Sequence, residues 1–428
     1  MTEPRILLES LFQTAVAAAH PAGCLPQHLP PPPPLGRLIM LAAGKAAGAM
    51  TEVAERHYLD AGFPTGRLTG LAVSRHGYGR PTRQVTMIEA GHPIPSAEGL
   101  AAAGRALELA GAAGRDDLVL VLMSGGASAN WIAPAEGLAL AEKQAVTRAL
   151  LRSGANIVEM NTVRKHLSRI KGGRLAARAH PAKVVTLAIS DVPGDDPAVI
   201  GSGPTVPDPT TLADARAIVQ RFALDLPEPV MRALDDAANE TPKPNDPIFA
   251  ATEFKLIARP RDAFGAVEKM IRAAGYECVF LGDRVEGEAR TVAAEHARLA
   301  REMQAQGRRA LILSGGELTV TLRGKGRGGP NQEYALALAI ALDGAPGIAA
   351  IAGDTDGTDG GAGSADDPAG ALIDDTTLTR ARVLSLDPAS FLADNHSTGF
   401  FTHLNDLLST GPTFTNVNDF RAILIDRS

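Results

Sequence analysis

Residues 118–130 read LVLVLMSGGASAN. The apolar run from Leu118 to Met123 follows the acidic step Asp116-Asp117 and breaks into Ser124-Gly125-Gly126. A short apolar run that ends in glycines predicts a strand buried on both faces and feeding a loop. In an open α/β sheet, ligands bind outside the carboxyl ends of such strands. The arrangement returns at 311–320 as LILSGGELTV. A run at 184–189 ends in SDVPGDD, and one at 347–352 ends in GDTDGTDGG. These strand ends carry glycine, serine and acid where hydrophobic residues would otherwise stand, which predicts that they face one cleft.

The 428-residue length predicts about two or three domains. With 45% hydrophobic and 21% charged residues, the composition is that of a globular protein with a large core. Net charge is −6 and there is no basic stripe, which argues against nucleic acid as a partner. Two cysteines, Cys24 and Cys278, give neither a disulfide framework nor metal-ligand spacing. No apolar run reaches transmembrane length, so no membrane is expected. The N-terminus faintly imitates a signal peptide, but Glu3 and Glu9 interrupt it. Leu7, Leu8, Leu11 and Phe12 fit an amphipathic helix instead. The expectation is a cytoplasmic protein.

After that helix, the five prolines of LPPPPPLG (29–36) predict an extended connector. Apolar segments then alternate with Ala-rich helical segments, which predicts an α/β fold with mainly parallel sheets. The glycine- and proline-rich loop 190–211 is long enough to suggest function. TPKPNDP (241–247) reads as a linker, with a second βα series beginning at Glu253. The expected division is 1–240 and 241–428, the first helix being free to pack on either part.

Several constellations can carry chemistry. Gly44-Lys45 lies where a strand hands over to a helix, so free amides and the Lys45 charge favour an anion there. The Walker A spacing is absent. Ser124-Gly125-Gly126 is not a GxSxG elbow, since Leu122 takes the first glycine position. It reads either as amides opened to phosphate or carboxylate, or as a tight turn. Asp191, Asp195 and Asp196 crowd one loop, and Asp354, Asp356 and Asp359 another. Such density asks for solvent, basic groups or a cation, and magnesium with substrate phosphates fits. Gly324, Gly326 and Gly329 of GKGRGGPNQE (324–333) satisfy GxGxxG, but Lys325 and Arg327 inside the loop suit phosphoryl transfer better than a dinucleotide. His76, His92 and His396 are left undecided between structure and function.

SGGAS (124–128), SDVPGDDPAVIGSGPTVPDPTT (190–211), SGGE (314–317), GKGRGGPNQE (324–333), GDTDGTDGG (353–361) and GPTFTNVND (411–419) together resemble the glycerate 2-kinases of the MOFRL type. Some members of that family carry the label hydroxypyruvate reductase. The resemblance spans nearly the whole chain in order. It implies two α/β domains with an interdomain cleft. It also implies phosphorylation of D-glycerate at the 2-hydroxyl by ATP with Mg²⁺, giving 2-phosphoglycerate and ADP. The family's proposed catalytic cations fall on Lys45 and Arg327. Asp191 and Asp354 are candidates for proton acceptor or Mg²⁺ ligand, Asp191 being placed in the catalytic set. Ser124, Gly125, Gly126, Ser190, Ser314, Gly315, Gly316, Glu317, Asn331 and Asp354 are candidates for contacting substrate or nucleotide. Two departures stand out: Phe414 replaces the family's usual glycine, and DNHSTGFF (394–401) replaces NDSYxFF.

Two rivals remain open. The GxGxxG match supports an NAD(P)-dependent hydroxypyruvate reductase, and an anion-rich cleft would also serve a non-catalytic sensor of sugar acids. A homo-oligomer is neither indicated nor excluded by the sequence.

Overall fold

The computed structural model describes residues 3–192, 194–361 and 364–426. The chain divides into two compact units. The first is Cys24–Ile257; the second joins Met1–Gly23 to Ala258–Ser428.

The first unit is built on β1 (Leu38–Ala43), β2 (Leu68–Arg75), β3 (Val85–Ala90), β4 (Leu118–Met123), β5 (Lys183–Ile189) and β6 (Thr252–Ala258), in the order β3-β2-β1-β4-β5-β6. β1 pairs parallel with both β2 and β4, and the β2–β3 and β4–β5 pairs are parallel as well. Every residue of β1 and β4 is buried, as their unbroken apolar sequences require. Alanines Ala102, Ala103, Ala106 and Ala110 of the helix Ala97–Gly111 let that helix lie close against β2 and β3. A separate apolar cluster, with Val146, Leu150, Val163 and Val230, holds together the helices Leu140–Ser153, Ile157–His166, Leu212–Arg221 and Glu228–Asp235. The proline connector is laid along this unit: Tyr58 Oη donates to the Pro30 carbonyl at 2.6 Å and Arg67 to that of Pro33 at 2.8 Å.

Two expectations shift here. The strand beginning near Glu253 is β6, the edge of the first sheet. TPKPNDP is no free linker: Asp208 N–H donates to the Pro242 carbonyl at 3.0 Å, and Thr241 Oγ1 donates to Asp208 at 3.1 Å.

The second unit contains β7 (Glu277–Gly282), β8 (Gly287–Glu288), β9 (Ala310–Gly316), β10 (Leu318–Thr319), β11 (Ile348–Asp354), β12 (Gly370–Ile373), β13 (Leu407–Leu408) and β14 (Asp419–Ile425). β8 and β10 form a short ribbon, and the rest make a sheet in the order β13-β12-β11-β14-β9-β7. This sheet corrects the expectation of mainly parallel pairing. Only β7–β9 is parallel; β9–β14, β14–β11, β11–β12 and β12–β13 are antiparallel. The class remains α/β, with one parallel and one mixed sheet. The helix Glu3–Ala19 buries Leu8, Leu11 and Phe12 in this unit. The Phe12 ring meets that of Phe420 edge-on at 5.8 Å, and Thr415 Oγ1 donates to the Ala19 carbonyl. Neither cysteine is disulfide-bonded, and no described helix is long and apolar enough to cross a membrane.

Candidate active site

The order of the first sheet reverses between β1 and β4. From β1 the chain proceeds outward through β2 and β3, whereas β4, β5 and β6 extend the other edge. Such a switch point opens a crevice at the carboxyl ends of the two strands. Gly44-Lys45 follows β1, Ser124-Gly125-Gly126 follows β4, and Ser190-Asp191 follows the neighbouring β5. The parallel register therefore brings these sequence candidates to one edge of one sheet.

The two central loops are bound together. Lys45 N–H donates to the Gly125 carbonyl at 2.8 Å, and Ala46 N–H to Ser124 Oγ at 2.9 Å. Ser124 is fully buried, so its hydroxyl ties loop to loop. Gly44 has φ +118°, and a Cβ there would overlap Ser124 Oγ. Gly126 has φ +86°. A Cβ on it would lie 3.0 Å from the His92 ring and 3.4 Å from Lys45 Cγ, so Lys45 and His92 flank this turn. Among the described residues, the N–H groups of Gly125 and Gly126 donate to no protein acceptor, whereas those of Lys45, Ala46 and Ala127 do. The result is a pair of open amides beside a lysine, an arrangement suited to an oxyanion.

Ser190 is buried and its Oγ accepts the Val192 N–H at 3.3 Å. Asp191 is half-buried at the same edge. Farther along this loop, Asp196 caps a turn by accepting the Ala198 N–H.

The candidates of the second unit fall differently. Ser314, Gly315 and Gly316 do not repeat the open turn after β4. They lie within β9, paired with Arg421, Phe420 and Asp419 of β14. The Gly315 carbonyl accepts from Arg421 at 2.7 Å, and a Cβ on Gly315 would overlap the Phe264 ring. Glu317, the next residue, is exposed. Asp354 ends β11, and the register sets it level with Asp419 and Gly316 across the sheet. Asn331 is buried, donating to Asp359 at 3.2 Å and to Asp419 at 2.7 Å. Asp359 accepts the N–H groups of Asn331 and Gln332 and so caps the helix Pro330–Leu342. Asp356 accepts from Thr358 N–H at 2.8 Å. The crowding of acids at 354–359 is thus largely local turn and cap chemistry.

The GxGxxG loop is not a dinucleotide cradle. Arg323 and Gly324 N–H both donate to Asn395 Oδ1, Lys325 N–H to Asp394 Oδ1, Gly326 N–H to the Asp394 carbonyl and Arg327 N–H to His396 Nδ1. Five successive amides are consumed by the protein, and the glycines give room for residues 394–397. The Arg327 side chain is 64% exposed, with one guanidinium nitrogen 3.3 Å from Asp367. Phe414 has φ +58°, a left-handed conformation that suits the glycine usual at this position in the family it resembles.

No group of three or more His, Cys, Asp or Glu among the described residues could hold a metal. Asp191 and Asp354 are half-buried carboxylates at strand ends. That fits Mg²⁺ only in its usual manner in nucleotide enzymes, with one or two carboxylates and the remaining ligands from phosphate and water.

Sequence reasoning missed a cationic group in the first unit. Lys143 and Lys171 are each 3% exposed. Lys143 Nζ donates to the carbonyls of Arg164 and Leu167, and Lys171 Nζ to the carbonyl and hydroxyl of Ser128, both at 2.8 Å. Burial, with Arg164 nearby, lowers Lys171 to about 7; Lys143 is also pushed well down by burial and by these same cations. The signal was the basic run Arg164-Lys165-His166 followed by Lys171-Gly172-Gly173, in which the glycines mark a tight turn.

Comparison with known proteins agrees with this architecture. Residues 7–235 match the family described as Domain of unknown function (DUF4147), and residues 310–419 match the MOFRL family. The chain is 47% identical to a protein of Agrobacterium vitis named "Putative hydroxypyruvate reductase", over 98% of this chain and 94% of that one. It is 38% identical to the D-glycerate 2-kinase of Thermotoga maritima over 90% of each. A crystal structure of a Thermotoga maritima glycerate kinase superimposes with a TM-score of 0.84 at 36% identity, covering 98% of both chains. By sequence and by fold, the chain belongs to the glycerate kinase family in which a DUF4147 region precedes a MOFRL region.

Proposed function

We propose that the protein transfers the γ-phosphoryl group of ATP to the 2-hydroxyl of D-glycerate, giving 2-phosphoglycerate and ADP. The observation that carries this reading is the pair of unpartnered amides, Gly125 and Gly126, beside Lys45 at the β1/β4 switch point. Phosphoryl transfer asks chiefly for positioning and charge neutralisation. The two amides hold a phosphate oxygen, and Lys45 neutralises charge that grows as the bond to the leaving oxygen loosens. Arg327 is the second catalytic cation, its planar fork suited to two phosphate oxygens. In the step itself the 2-hydroxyl oxygen bonds to the γ-phosphorus and the bond to the β–γ bridging oxygen breaks. The hydroxyl proton passes to the Asp191 carboxylate. Asp191 or Asp354, together with nucleotide phosphates, would hold Mg²⁺, which would supply positive charge to the polyphosphate. Ser124 and Ser190 keep the loops in register for these contacts.

The test is incubation with D-glycerate, ATP and Mg²⁺, read by phosphorus NMR. A 2-phosphoglycerate resonance is expected; a 3-phosphoglycerate resonance or no ester at all would sink the proposal. The reductase reading predicts enzyme-dependent loss of NADH or NADPH absorbance with hydroxypyruvate. The occupied amides of the GxGxxG loop argue against it, and no loss is expected.

A further inference from the structure

Three positive side chains in the first unit converge on one small cavity. It has a volume of about 120 Å³ and is lined by Ser128, Lys143, Arg164, Lys171 and the two prolines Pro93 and Pro95. Among the described residues, none of the three cations is paired with a carboxylate. The lysines are held by carbonyl and hydroxyl oxygens alone, and the Arg164 guanidinium donates to no protein acceptor. Each lysine lies close enough to Arg164 for its charge to be felt. Two buried lysines beside a half-buried arginine, without a counter-ion, are costly, and a protein retains such a group where a ligand supplies the missing charge.

The cavity is built from three parts of the chain. Ser128 belongs to the short helix Ala127–Asn130 that follows the turn after β4, two residues beyond Gly126. Ser202, from the long loop after β5, is 2.6 Å from the Ser128 hydroxyl. Lys171 spans from the segment before β5 to the carbonyl and hydroxyl of Ser128. The cavity therefore lies behind the turn whose open amides and neighbouring Lys45 were described above.

We infer that this cavity is the subsite for the carboxylate of the acceptor acid, with Arg164 and Lys171 as its principal ligands. The inference rests on the glycerate reading and adds to it the group that recognises the acid. A guanidinium fork and an ammonium together match two carboxylate oxygens. In D-glycerate the carboxylate is attached directly to the carbon that bears the 2-hydroxyl. Anchoring the acid behind the Gly125–Gly126 turn presents that hydroxyl, ahead of the more distant 3-hydroxyl, to the phosphoryl group. Arg164 and Lys171 would thus set which hydroxyl reacts.

The test is calorimetric titration of the whole protein, without nucleotide, using D-glycerate, glycerol and inorganic phosphate, on the wild type, Lys171→Met and Arg164→Gln. D-glycerate should bind the wild type and weaken at least tenfold in each variant, while glycerol, lacking the carboxylate, should not bind measurably. In turnover, the KM for D-glycerate should rise at least tenfold in both variants with the KM for ATP within about twofold. Thermal melts guard against a merely structural role, since Lys171→Met removes a repelling charge and should melt no lower than the wild type. Unchanged glycerate affinity in either folded variant overturns the inference. So does a weakening confined to inorganic phosphate, which would mark a phosphoryl site. Glycerate binding that depends on Lys171, in a protein that forms no phosphate ester, would keep the subsite and reject the kinase reading instead.

Discussion

Lys45 is the residue on which the chemical reading turns. It stands in the turn between β1 and the helix Ala47–Asp60, just ahead of that helix's positive end. That placement works against stability and in favour of an anion. Lys45→Ala should therefore lower turnover by about 10²–10³-fold, the range for loss of one charge-stabilising group, with little change in melting temperature. Near-normal turnover in the folded variant would remove Lys45 from the catalytic set. Lys171 makes a second prediction, about pH. Its value falls from 10.5 to about 7 on burial. Below about pH 7 both folded and unfolded chains carry the proton, and the folded state bears the full cost of a buried charge. As pH rises towards 10.5 the folded state sheds the proton before the unfolded state does, and the cost is relieved. Lys171→Met should thus melt higher than the wild type at pH 6, with the gap narrowing towards pH 9; a constant gap would contradict it. Lys45 and Ser124 were legible in the sequence because strand, glycine and polar residue follow one another directly. Lys143, Arg164 and Lys171 were not. In a sequence a lysine within a helical pattern reads as solvated, and only the packing of distant segments reveals that the two lysines are buried, and Arg164 half-buried, without an acid.

At the scale of elements, burial was easier to read than direction. β9, β11 and β14 each contain an apolar run, Ala310–Leu313, Ile348–Ala352 and Ala422–Ile425, and such runs predict strands covered on both faces. Hydrophobicity does not encode which way a covered strand points, so the sequence predicts mainly parallel pairing where the second sheet is mixed. The glycine loop 324–329 shows the same limit. Its pattern matches a ligand cradle, yet the amides of residues 324–327 are occupied by Asp394, Asn395 and His396, which the sequence places about seventy residues away. A direct check is Gly326→Ala. A Cβ there would overlap His396 Cβ and crowd the Asp394 carbonyl. The cost should be about 1–3 kcal/mol, as for other overpacked sites, seen as a lower denaturant midpoint. An unchanged midpoint would mean that the 394–397 segment yields easily and does not explain the glycine.

For the whole molecule, the chain path was the least legible feature. Proline drew the domain boundary to TPKPNDP, whereas the chain runs on through β6 before leaving the first unit at Ile257. The N-terminal helix belongs with residues some 250 to 400 positions later because its apolar stripe finds the helix Pro260–Ala273 and Phe420. Phe12→Ala should accordingly cost about 3–5 kcal/mol. Hydrogen exchange should show the loss in β11 and β14 while leaving β1 and β4 protected; equal loss in both units would contradict that division. The central claim remains that the open turn beside Lys45 serves phosphoryl transfer to a 2-hydroxy acid. Its most direct test is phosphorus NMR of D-glycerate, ATP and Mg²⁺ with the wild type and Lys45→Ala side by side. The account predicts a 2-phosphoglycerate signal that grows with wild type and is at least a hundredfold slower with the variant. No ester with wild type, or equal rates with both, would contradict it.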